Sequence, residues 1–208
     1  MVIGKIDYLN LLPFHIFIKK NGIKVIEKKG YPAQINRLFE NRGVESAFIS
    51  SIKSKNKNCL DAGIIANKKV LSVLICENKE NLQDKESETS NQLAKILNLK
   101  GEVIIGDKAL QKFYNENVDN CKDMAQLWFE KYKLPFVFAR FCINKNQGKY
   151  KKLINNFLSS KVKIPQYILK KKAKQLNIKP SQLKEYLNLI YYQIGYKEKK
   201  SLRKFLKN

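Results

Sequence analysis

A chain of 208 residues that is 44% hydrophobic and 28% charged carries ample apolar material for a packed core, which excludes a disordered polymer. It holds no apolar run near the roughly 20 residues that span a bilayer and no visible secretory signal, so a cytoplasmic protein with no membrane partner is expected. The formal charge is +23, but all but four of the 41 basic residues are lysine, scattered from Lys5 to Lys207; arginine-poor scatter argues against a nucleic-acid partner and for attraction of a small anion.

In chain order, Val2–Ile6 reads as a short strand, and Pro13 sits where a first helical turn begins, opening a helix over Leu12–Lys20. Ile23–Glu27 is a second strand. Tyr31-Pro32-Ala33 starts a helix through Asn41 with Ile35, Leu38 and Phe39 on one face, and Gly43 is its expected C-terminal stop. Ser46–Ile49 and Ala62–Ala66 are further strands, and Val70–Cys76 is a longer one leaving the first lobe. The polar stretch Glu77–Lys85 reads as a crossing between lobes. Ser87-Glu88-Thr89-Ser90 precedes a helix over Asn91–Leu99, Val103–Ile105 is a strand, and Lys108–Tyr114 is a helix. Asp123 is a good N-cap for a helix over Met124–Tyr132, and Leu134–Ala139 is a buried strand returning the chain. From Lys149 the pattern is helical to the end, broken by Pro165 and Pro180 into pieces near 149–159, 165–176, 180–195 and 197–207.

This order predicts an α/β fold with a largely parallel sheet, two lobes around a cleft and a helical C-terminal tail. Residues 1–76 plus 136–208 form lobe I, and 77–135 form the inserted lobe II. Cys59, Cys76, Cys121 and Cys142 make no C-x-x-C pair and are expected as buried thiols. With His15 the sole histidine, no metal site is expected.

Asn10 follows the first strand, where its amide either holds a turn or orients a ligand hydroxyl or carboxylate. Ser51 ends the third strand and Ser72 lies near the crossing; hydroxyls there bind a carboxylate or simply finish an edge. Ser87, Thr89 and Ser90 gather at one helix start, which suits either an anion or ordinary capping. Asp107, after Gly106, is a base, a ligand anchor or a cap. Asp7 and His15 flank the first motif and have the chemistry to move protons. No G-x-S-x-G, P-loop or dinucleotide fingerprint is present.

Seven phrases in order carry a resemblance. They are Tyr8-Leu9-Asn10-Leu11-Leu12-Pro13, Ser51, Val70-Leu71-Ser72-Val73, Ser87-Glu88-Thr89-Ser90, Ile105-Gly106-Asp107-Lys108-Ala109-Leu110, Leu134 to Ala139, and Tyr186-Leu187 with Ile190, Tyr192, Glu198 and Phe205. Together they resemble the chorismate dehydratases of the futalosine route to menaquinone, over almost the whole chain. The chain is shorter than typical members, has Asp7 where the family phrase opens with serine, and has Glu88 where an arginine is common. The resemblance implies a two-lobed fold like a type II periplasmic binding protein and loss of water from chorismate to give 3-[(1-carboxyvinyl)oxy]benzoate. It implies no metal or organic cofactor, a small-molecule substrate, and a monomer or homodimer. Asn10 would be catalytic, with Ser51, Ser72, Ser87, Thr89, Ser90 and Asp107 binding substrate. The proton acceptor is then an enzyme group or the substrate's own side-chain carboxylate. Two alternatives share the fold: a 1,4-dihydroxy-6-naphthoate synthase of the same pathway, and a non-catalytic domain binding a small anion.

Overall fold

The computed structural model describes residues 1–207 and builds two sheets of unequal size. In the larger, β1 (Val2–Lys5) lies between β2 (Ile26–Lys29) and β3 (Ser46–Ser50) and runs parallel to both; α1 (Leu12–Lys20) and α2 (Pro32–Glu40) make the connections. β4 (Cys59–Ala66) follows a 3-10 turn at Ser51–Ser54. The smaller sheet is antiparallel: β5 (Val73–Cys76) sits between β6 (Glu102–Ile105) and β7 (Cys121–Asp123). α3 (Glu88–Ile96), α4 (Gly106–Asn115) and α5 (Met124–Tyr132) surround it. β8 (Phe136–Ile143) then returns between β3 and β4, antiparallel to each. Three helices, α6 (Gln147–Ser159), α7 (Gln166–Gln175) and α8 (Pro180–Asn188), lead to β9 (Ile190–Gln193) beside β4 and finally to α9 (Tyr196–Lys207). No helix among the described residues is long and apolar enough to cross a membrane.

The core follows the sequence pattern. β3 is buried at all five positions, whereas lysine-rich β2 is an exposed edge. Phe14, Phe48, Phe141 and Phe157 meet edge to face, with centroids 5.1–6.1 Å apart, and tie α1, β3, β8 and α6 together. Under the small sheet, buried Trp128 donates its indole N–H to Ser201 Oγ at 3.0 Å and packs on Phe136 and Phe205. The last helix is thus anchored beneath the small lobe.

Several sequence expectations are corrected. The large sheet is mixed rather than largely parallel, because β8 and β9 enter against their neighbours. The helix expected through residue 195 ends at Asn188: the branched and aromatic run Ile190-Tyr191-Tyr192 favours an extended chain and takes the open edge of β4. β2 starts three residues late, and the short strand β7 was not anticipated. The crossing to the small sheet falls at residues 67–72, not within Glu77–Lys85, since β5 already belongs to that sheet. There Leu71 takes a left-handed φ of 61°, and the Val70 and Leu71 N–H groups donate to Asp123 Oδ2 at 2.9 and 2.7 Å. The left-handed stop of α2 is Arg42 (φ 54°), not Gly43; Gly43 N–H closes the turn on Leu38 O at 2.8 Å. The four cysteines are not thiols. Cys59 pairs with Cys142 and Cys76 with Cys121, as disulfides between residues directly opposite in antiparallel ladders, a proximity that separations of 83 and 45 residues conceal.

Candidate active site

Between the lobes lies a cleft lined by residues of both, the kind of position in which small-ligand sites form. Three helix starts converge on it. Pro32 opens α2, Ser87 caps α3 and Gly106 begins α4, and all three line the cleft. Their positive dipole ends favour anions without a formal positive charge. The remaining walls are apolar (Ile6, Ile64, Val73, Ile105, Phe138) or neutral and polar (Asn10, Ser50, Ser72, Ser90). Among the described residues no aspartate, glutamate, histidine, lysine or arginine lines it.

Asn10 sits in a 3-10 turn, Leu9–Leu11, at the carboxyl end of β1. Its carbonyl accepts the Tyr192 hydroxyl at 2.6 Å, which fixes the backbone from outside the turn. Its own Oδ1 is buried with no hydrogen-bond partner. A turn-holding amide would spend that oxygen on nearby backbone N–H; here it is left for the cleft.

Ser72 accepts a hydrogen bond from buried Tyr186 at 3.1 Å, which leaves its own proton to donate. Ser87 Oγ accepts from the Ser90 N–H at 3.2 Å and donates to Ser90 Oγ at 2.8 Å. That relay makes Ser87 the N-cap of a helix starting three residues earlier than expected, and leaves the Ser90 proton for a ligand.

The other expected site residues are placed elsewhere. Ser51 Oγ donates to Val137 O at 2.6 Å, and Ser50, held by Asn36 at 2.8 Å, faces the cleft instead. Thr89 Oγ1 accepts the Ile52 N–H at 3.3 Å, a bond between lobes rather than into the cleft. Asp107 accepts the Leu9 N–H at 3.2 Å and faces a neighbouring depression with Asp7, Lys29 and Tyr31. His15 is packed behind the wall with Nε2 on Ile6 O at 3.1 Å, and burial lowers its pKa.

Sequence reasoning missed Tyr8 as a site residue. Its ring lines the cleft over Gly106, and its hydroxyl donates to the Glu86 carboxylate across the lobes. Burial and Glu86 together hold its pKa well above the usual tyrosine range, so it stays protonated. Tyr186 and Tyr192, which brace Ser72 and Asn10, were legible only as part of a C-terminal phrase.

Burial pushes the Asp107 pKa up to about 6, against the opposing pull of the Leu9 N–H and Lys172, while Asp7 adds to the rise. Between about pH 4 and pH 6 the native state therefore binds more protons than the unfolded chain, and stability falls as pH rises through that window. Asp107→Asn keeps an acceptor for Leu9 and removes the buried charge. It should melt higher than wild type at pH 7–8, by the equivalent of about 1–3 kcal/mol, with the gain vanishing near pH 4. A gain independent of pH, or none at pH 8, would contradict this origin.

Residues 97–208 match a protein family described as menaquinone biosynthesis. Over 216 aligned residues the chain is 46% identical to a chorismate dehydratase of Campylobacter jejuni subsp. jejuni serotype O:23/36 (strain 81-176), covering 100% of this chain and 96% of that one. Among solved structures, protein AF1704 from Archaeoglobus fulgidus superposes with a TM-score of 0.69 at 11% identity, covering 99% and 95% of the two chains. The periplasmic aliphatic sulphonate binding protein SsuA of Escherichia coli superposes with 0.62 at 8% identity, covering 100% and 85%. At such identities these two establish the fold alone, that of the periplasmic binding proteins.

Proposed function

Because the chain belongs to the chorismate dehydratase family of menaquinone biosynthesis, we propose that it removes water from chorismate to give 3-[(1-carboxyvinyl)oxy]benzoate, a carbon–oxygen lyase reaction. Chorismate carries two carboxylates, a C4 hydroxyl and an enolpyruvyl ether at C3. Loss of the C3 proton and the C4 hydroxyl makes the ring aromatic, which supplies the driving force.

The observation that carries the mechanism is a cleft without a titratable base. Its walls offer neutral donors at helix starts, and the one ionisable group, Tyr8, is held protonated. The base is then the substrate's own side-chain carboxylate. It takes the C3 proton, the freed electron pair forms the C3–C4 double bond, and the C4–O bond breaks. The departing hydroxide and that proton leave as water.

The protein's part is to position and to exclude. Ser72 and Ser90, the latter oriented by Ser87, hold a carboxylate with the dipole ends of α3 and α4; Asn10 orients the reacting side chain or the departing hydroxyl. Ser51, Thr89 and Asp107 act behind these, fixing the backbone that carries them. Phe138, Ile64 and Ile105 keep water out.

Purified protein supplied with chorismate, and no added metal, should release the enolpyruvyl benzoate, read by chromatography and mass. Its kcat should be flat from about pH 7 to 9, above the titration of Asp107 behind the wall, because no group lining the cleft titrates there. Binding without turnover, dihydroxynaphthoate release from the cyclic futalosine derivative instead, or activity that needs an added metal would each overturn the reading.

A further inference from the structure

Arg140 is anomalous. It lies on β8 directly after Phe138 and Ala139, yet points into a separate groove that shares none of the cleft's lining residues. Its Nε is buried without a hydrogen-bond partner, and among the described residues no ion pair reaches its guanidinium. Asp61, whose charge acts on it, is engaged by Lys199 at 2.6 Å, and Glu198 is taken up by Tyr191 and the Gly195 N–H. A partly desolvated, unpaired cation is costly to keep in a fold, and each such group calls for a reason.

The groove supplies one. α9 presents Tyr196, Lys199, Arg203 and Leu206 to Arg140, with Leu202 as an apolar floor. This i, i+3, i+7, i+10 spacing puts them on one helical face. Arg140 and Arg203 line the groove beside apolar carbon and the ring of Tyr196, which is 75% exposed, while the Lys199 ammonium is taken by Asp61. Guanidinium forks match the two oxygens of a carboxylate or phosphate.

We infer that this outer groove between β8 and α9 is a second ligand site, for a small oxyanion bonded by Arg140 and Arg203.

Thermal shift and titration calorimetry test it with two probes, inorganic phosphate and benzoate, at ionic strength held constant with potassium chloride. Wild type should show saturable binding and a rising midpoint with one or both. Response to phosphate identifies a bare oxyanion site; response to benzoate alone shows that the apolar floor and Tyr196 take part. Arg140→Met should abolish the response, Arg203→Met should weaken it at least threefold, and Lys171→Met, which removes the same charge from exposed α7, should keep it. Without added anion, Arg140→Met should melt no lower than wild type and turn over chorismate normally. Equal responses in wild type and both arginine variants, or no saturation by either probe up to about 10 mM, would overturn the site. So would a marked drop in the midpoint of anion-free Arg140→Met, which would make the arginine a structural one. Arg203 is exposed, so its variant gives a result even where Arg140→Met fails to fold.

Discussion

Asn10→Ala should cut kcat by about 10²-fold or more while KM moves only a few-fold. The reason is the state of its side chain. Asn10 is held by Tyr192 through its backbone carbonyl, so truncating the amide leaves the turn anchored. The amide oxygen itself is buried and unpartnered, a cost of about 1–3 kcal/mol that a ligand hydrogen-bonded there recovers. If that recovery is greatest when the leaving hydroxyl, the substrate group with a proton to give this oxygen, is in its reacting geometry, the loss falls on kcat. Asn10→Asp should be at least as harmful, because it sets a negative charge against a dianion in a cleft with no lining cation. A purely local role predicts the reverse pattern: lower midpoints and near-normal kcat in the folded fraction. Midpoint and kcat measured on both variants separate the two. Near-wild-type kcat in both would remove Asn10 from the chemistry.

Much of the fold was legible because the relevant physics is local. Pro13 at a first turn, Asp123 as an N-cap and the one-faced pattern of Ile35 and Phe39 each specify an element from a few neighbouring residues. What escaped depends on distant partners. β9 is a strand because β4 offers an edge, and the cysteines are paired because ladders place them opposite one another.

The site divides the same way. The serine-rich start of α3 suits an anion site or a cap, but nothing within Ser87 to Ser90 says that Ser90 faces the cleft while Thr89 bonds Ile52. Likewise the pair Ser50-Ser51 shows a hydroxyl at a strand end; only the position of Val137 decides that Ser51 turns inward. Asp107 looked like a site residue by its place after Gly106. In the fold it is the glycine that touches the cleft, and the aspartate secures Leu9 behind it.

That glycine gives the second large effect. Gly106 has φ +65°, in the left-handed region, and a Cβ added there would lie 2.8 Å from Cε2 and Cζ of Tyr8. Gly106→Ala therefore meets two separate penalties. The backbone strain is about 1–2 kcal/mol. The steric conflict is larger in consequence, because the ring must leave the cleft wall and its hydroxyl must give up Glu86 across the lobes. The variant should melt several degrees lower and lose about 10- to 100-fold in kcat/KM, since a displaced wall both blocks the ligand and admits water. A double-mutant cycle isolates the clash. In a Tyr8→Ala background the ring is gone, so adding Gly106→Ala should cost only the backbone strain and little further activity. Tyr8→Phe, which keeps the ring and loses the hydroxyl, reports the Glu86 bond alone and should retain far more activity than Gly106→Ala. If Gly106→Ala costs as much stability and activity without the Tyr8 ring as with it, the close approach of ring to glycine is not what shapes this wall.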